Sequence, residues 1–179
     1  MAAILATAAC RRSHGPTTGP YVGVPIDNFA EVAAGVYRGE QPDDAGFAAL
    51  KKLGVKTIVN FQTKKDDHAA AAPLGLDVVD IPMPTHPYID PPTDAQVKQF
   101  FDVVLDPARR PVFVHCAGGR DRTGTMCALY RMEIDGWTKE KALDEMYAFG
   151  FHAHQDDFNG LEAFVKNYKL RGFGAAQTK

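Results

Sequence analysis

Apolar residues recur along the chain in two periods, and their alternation outlines a fold. Short runs rich in β-branched residues fall at Val36-Tyr37-Arg38, 56–61, 77–83 and 112–115, each of strand length and bounded by Gly, Pro or charged residues. Between them, apolar positions three and four apart predict helices. Phe47, Leu50 and Leu53 mark one that starts at Asp43 or Asp44 and stops at Gly54. Residues 62–73, with Lys64-Lys65-Asp66-Asp67-His68 and then four alanines, read as a solvated loop entering a helix whose charges are surface. Residues 84–92 are too rich in proline for regular structure and predict a shaped loop. Thr93-x-x-Gln96 is a capping box opening a helix with Val97, Phe100, Phe101, Val104 and Leu105 on one stripe.

The last third predicts helices from 123 to about 134, from Thr138 through Leu143, Met146 and Tyr147, and from Asp156 or Asp157 through Phe158, Leu161, Phe164, Val165 and Tyr168. Their aromatics read as core, and Trp137 as a packing anchor. Strand and helix alternate throughout, so the expected architecture is α/β, a single domain with a central, mostly parallel sheet flanked by helices. A ligand site in such a sheet lies at the carboxyl ends of the strands.

One stretch carries chemistry. The strand at 112–115 ends at His115-Cys116, a loop with Gly118 and Gly119 follows, and the helix from Thr123 begins directly after Arg120-Asp121-Arg122. Such a loop turns successive backbone N–H groups toward one point, and the helix adds its unpaired N–H groups and positive dipole end. That point is an anion site built from Ala117, Gly118, Gly119, Arg120, Asp121 and Arg122. The planar fork of Arg122 suits two phosphoryl oxygens. The same field favours a thiolate at Cys116. A sulfur nucleophile facing a bound phosphate implies ester hydrolysis through a cysteinyl-phosphate intermediate. Thr123 then offers a hydroxyl to the departing sulfur, and His115 fixes loop geometry. Cys127, on an apolar helix face, reads as core, with a reversible disulfide to Cys116 as the alternative. Arg38 reads as a structural ion pair or an active-site contact.

These residues resemble a known family. His115-Cys116-x-x-Gly119-x-x-Arg122-Thr123 matches the signature of the protein tyrosine phosphatase superfamily of cysteine phosphatases. Asn28-Phe29, Gly35-Val36-Tyr37-Arg38-Gly39, Gln41-Pro42 and Leu53-Gly54-Val55-Lys56-Thr57-Ile58-Val59-Asn60 look like atypical dual-specificity phosphatases of the plant-and-fungal type and their bacterial relatives. The resemblance implies the dual-specificity cysteine-phosphatase fold, no cofactor and no metal. It also implies phosphotyrosine, phosphoserine/threonine or inositol phosphate substrates. Relatives place an acid on a loop some thirty residues before the nucleophile; here Asp90 is the one carboxylate on that loop, and aligning from Ile81-Pro82 brings Thr85 or His86 there instead. Asp121 resembles the within-loop aspartate of the myotubularin branch, and otherwise forms an ion pair with Arg120 or Arg122. The proton donor is therefore Asp121, Asp90, or His86 with a water. Arg120 at the rim suits a polyphosphorylated inositol, and the segment that deepens classical tyrosine phosphatase sites is missing.

Composition narrows this little. With 179 residues, 45% hydrophobic and 23% charged, the chain suits one domain at 21–172 with a tail at 173–179. A net charge of −2 suggests no nucleic-acid surface. Residues 1–20 read as a frayed tail and linker or as a lipoprotein-like signal ending at Cys10, which leaves cytoplasmic and exported locations both open. No later stretch is apolar enough to span a membrane, and nothing in the sequence sets the oligomeric state. A rhodanese-like sulfurtransferase and a non-catalytic phosphate-binding module are the rival functions. A metal cluster at His152, His154, Asp156 and Asp157 is weaker than a helix-cap reading.

Overall fold

The structure, a computed structural model, describes residues 21, 23–64, 66–84, 90–152 and 159–174. The expectations for the amino-terminal tail, for Thr85 and His86, and for His154, Asp156 and Asp157 lie outside these residues. Strands β1 (Ala30–Ala33), β2 (Val36–Gly39), β3 (Thr57–Asn60), β4 (Asp77–Asp80) and β5 (Val112–His115) form one sheet in the order β1-β2-β5-β3-β4. All neighbours are parallel except β1, which runs antiparallel to β2. The single-domain α/β architecture expected from the alternation is what forms. β1 was not anticipated: only Val32 of its four residues is buried, so the segment lacks the pattern of a strand.

The helices are α1 (Asp44–Lys52), α2 (His68–Ala71), α3 (Asp94–Val104), α4 (Asp121–Glu133), α5 (Lys139–Ala148) and α6 (Asn159–Asn167). Asp43 caps α1 by accepting the Gly46 N–H at 2.9 Å, and Thr93 and Gln96 close the expected capping box on α3.

Side-chain alternation along β5 splits the core into two layers. Val112 and Val114 pack with Phe100, Met126, Leu129 and Leu161 of α3, α4 and α6. Phe113 points the other way, into Phe29, Phe47, Leu50 and Ile58 beneath α1. Each of these fully buried side chains contributes roughly 1.5–3 kcal/mol, so the middle strand is the most firmly held part of the sheet. α4 lies inside the upper layer and is buried on nearly every face, so it shows no polar stripe in the sequence.

The packed unit runs past the expected boundary at 172. The Phe173 ring stacks on Phe101 with centroids 4.2 Å apart, and Glu133 accepts the backbone N–H groups of Arg171, Gly172 and Phe173. Trp137 is an anchor through cations: the Arg131 guanidinium and the Lys141 ammonium lie 4.3 and 3.8 Å from its ring centroid.

Candidate active site

β5 delivers His115 and Cys116 to the carboxyl edge of the sheet between two parallel neighbours. Alternation turns His115 toward the Phe113 side, where their rings stack. There Nε2 of His115 sits 2.8 Å from Oδ2 of Asp67, with both side chains buried. Its Nδ1 is 3.2 Å from the Cys116 carbonyl. Oδ1 of Asp67 accepts a bond of 2.7 Å from Gln41, whose own carbonyl oxygen is bonded by Gln62. These contacts link the end of the strand to the loop through Asp67, a buried carboxylate in a charge run that reads as surface.

The loop after Cys116 faces its carbonyls away from the site. Gln41 N–H donates to Ala117 O at 3.2 Å, Asn28 Nδ2 to Gly118 O at 2.8 Å, and Arg38 Nη2 to Gly119 O at 2.8 Å. A planar trans peptide sets C=O and the following N–H on opposite sides. The N–H groups of Gly118, Gly119 and Arg120 accordingly turn to the other face, alongside the unpaired N–H groups of the first turn of α4. That is an anion cradle held from behind by side chains. Gly119 has φ +66°, and a Cβ there would lie 2.4 Å from the backbone of Gly39, so only glycine fits.

Arg122 opens α4 and is buried. Its Nη1 donates to Phe61 O at 3.1 Å and Met83 O at 3.3 Å, just beyond β3 and β4. Those two bonds orient the fork, and among the described residues nothing of the protein takes its Nε or Nη2. Thr123 Oγ1 is fully buried and makes no hydrogen bond among the described residues, so the hydroxyl expected to serve the sulfur has no competing partner and no formed bond to Cys116. Cys116 is itself buried and reduced.

The proton-donor candidates separate. Asp121 does not pair with Arg120 or Arg122. Its Oδ1 accepts the His152 backbone N–H at 3.0 Å, and His152 Nδ1 lies 3.0 Å from both carboxylate oxygens. Asp90 is exposed, on the chain that leads from Met83 to α3. Arg120 is half-buried and lies over the loop: its Nε is 2.9 Å from where a Gly118 Cβ would stand. Ala117 is exposed at the rim.

Arg38 combines both expected roles. It lies 3.9 Å from Glu145 Oε1 and from the Phe149 centroid while holding the loop. Cys127 is a free, fully buried thiol pushed up to about 11 by burial, as a core residue should be. Beside the site, a cavity of about 450 Å³ is lined by Gln62, Thr63, Lys64, Asp66, His68, Asp80 and Pro82. Its charges are mixed, and the Asp80 carboxylate 2.9 Å from His68 raises that imidazole above its ordinary value. Among the described residues no group of His, Cys, Asp and Glu is arranged to hold a metal.

Sequence reasoning gave no role to Asn28 or Gln62, read Asp67 as surface charge, and weighed His152 only as a helix-cap or metal residue, whereas it holds the Asp121 carboxylate. Asn28 had one signal: it precedes a buried run and belongs to the type that tolerates φ +57°, the value it adopts. The others carry none.

A mostly parallel sheet, a cysteine directly after its middle strand and an N–H cradle closed by arginine define a cysteine-dependent phosphatase of phosphate monoesters. The family described as DSP-PTPase phosphatase fused to NAD+ kinase matches residues 26–161, and the chain belongs to it. It is 35% identical over 153 residues to the dual specificity protein phosphatase TpbA of Pseudomonas aeruginosa strain UCBPP-PA14, covering 85% of this chain and 67% of TpbA. It is 29% identical over 158 residues to inositol diphosphatase DSP4 of Arabidopsis thaliana, covering 82% and 76%. A crystal structure of a P. aeruginosa TpbA variant in complex with pTyr superposes with a TM-score of 0.69 at 26% identity, covering 95% and 99%. The chain is a protein-tyrosine/dual-specificity phosphatase; the sulfurtransferase and binding-module readings fall away.

Proposed function

We propose that Cys116 attacks the phosphorus of an aryl phosphate ester of the phosphotyrosine type. The S–P bond forms as the P–O bond to the alcohol breaks, and Asp90 gives its proton to the departing oxygen. The cradle N–H groups and Arg122 hold the equatorial oxygens. Water then attacks phosphorus and passes its proton to Asp90. The S–P bond breaks, and Thr123 donates its hydroxyl hydrogen bond to the returning thiolate.

Asp90 is preferred to Asp121 because the Asp121 oxygens are already acceptors for His152, while the Arg122 bond to Met83 ties the start of the Asp90 loop to the site. The observation that carries the whole reading is the run of outward carbonyls at Ala117, Gly118 and Gly119 beneath a buried Cys116. The cavity beside the cradle carries the Asp66 and Asp80 carboxylates with Lys64, which favours a singly phosphorylated group over an inositol pyrophosphate, whose added charge meets carboxylates.

The test is phosphate release from a phosphotyrosine peptide and from an inositol pyrophosphate, in chelator, with and without Cys116→Ser. Turnover of the peptide that vanishes in Cys116→Ser is expected. Preference for the inositol ester overturns the substrate assignment. Asp90→Asn should lower kcat about a hundredfold on the peptide; an undiminished rate removes Asp90 from the role.

A further inference from the structure

The Asp121 carboxylate stands one residue before Arg122, at the mouth of an anion site, where a negative charge works against the substrate. It does not stand alone. Its oxygens receive the backbone N–H and ring Nδ1 of His152, all at 3.0 Å, and its side chain is largely buried. His152 follows Phe151, which is buried and whose N–H bonds Met146 O at 3.1 Å, so the imidazole is carried on a fixed end of α5. The same end braces the loop a second time, through Phe149 against Arg38 and Arg38 onto Gly119 O.

We infer that His152 is a positioning residue for the phosphate cradle: by occupying the Asp121 carboxylate, it keeps the Arg122 fork available to substrate. Without the imidazole, a buried carboxylate next to two guanidinium groups takes one of them, and its charge repels a phosphate dianion. The inference rests on the phosphatase reading and deepens it. His152 acts through Asp121 and transfers no proton.

The experiment is steady-state hydrolysis of para-nitrophenyl phosphate and phenyl phosphate, with inhibition by inorganic phosphate. His152→Ala should lower kcat/KM about tenfold, by the same factor on both esters, with a raised KM and weakened phosphate inhibition. In His152→Asn the amide nitrogen occupies the place of Nδ1, and kcat/KM should stay within about twofold of wild type. His152→Gln cannot place a donor there and should behave like the alanine variant. Adding Asp121→Asn to His152→Ala removes the competing charge and should recover most of the loss. An unaffected His152→Ala overturns the inference, as does an asparagine variant no better than glutamine. A loss that is larger on phenyl phosphate overturns it too, because it assigns His152 to proton donation. If the alanine variant does not fold, the Asn and Gln pair decides alone. Failure of the phosphatase reading is seen separately, as wild-type turnover that survives Cys116→Ser.

Discussion

His115 Nε2 and the Asp67 carboxylate meet at 2.8 Å, each side chain buried, and that contact ties the end of the nucleophile's strand to the start of α2. Asp67 also holds Gln41, whose backbone N–H takes Ala117 O. Removing one member of a buried pair strands the other, at a cost of about 3–5 kcal/mol. Asp67→Ala should therefore lower the unfolding free energy in urea by about that amount and reduce kcat. A shift under about 1 kcal/mol would show the contact to be incidental.

Gly119→Ala should abolish turnover. The added methyl lies 2.4 Å from the Gly39 backbone at a φ of +66°, so the loop must move and the N–H groups on either side of it move with it. A displaced cradle costs about a hundredfold or more in kcat/KM. Activity within about tenfold of wild type would contradict the close approach.

Cys127 yields a prediction in pH. Its folded-state thiol is raised by burial to about 11, so its contribution to stability is complete below the ordinary thiol value and is lost as pH rises to about 11. Cys127→Ala should flatten the decline in thermal stability between about pH 9 and 11 while leaving kcat/KM at neutral pH within about twofold. A large loss of activity would give this thiol a role beyond packing.

His68 titrates above its ordinary value because Asp80 accepts its hydrogen bond. The protonated ring favours the folded state below that ordinary value, and this small contribution disappears as pH rises through the folded one. Imidazole NMR of wild type and Asp80→Asn should show the His68 midpoint falling in the variant. An unchanged midpoint would show that the contact is not formed in solution.

The signature loop and the four parallel strands were legible because they rest on local rules: period-two apolar runs, glycines at a turn, and a cation at the start of a helix. The braces of the loop were not. Asp67 lies in a run of charges that solvent alone explains, His152 is far from Asp121 in sequence, and Arg38 reads first as a structural ion pair. Each acquires its role from a partner 31 to 81 residues away, and no local pattern encodes such distances. β1 was missed for a related reason: an antiparallel edge strand needs only one buried side chain.

The placement of β5 between β2 and β3 also ranks the site by how readily its parts open. In native-state hydrogen–deuterium exchange, amides of 112–115 should exchange only with global unfolding, since both edges of that strand are paired. The sulfur thus follows directly on a strand whose every backbone edge is paired, so its anchor opens only when the sheet itself comes apart.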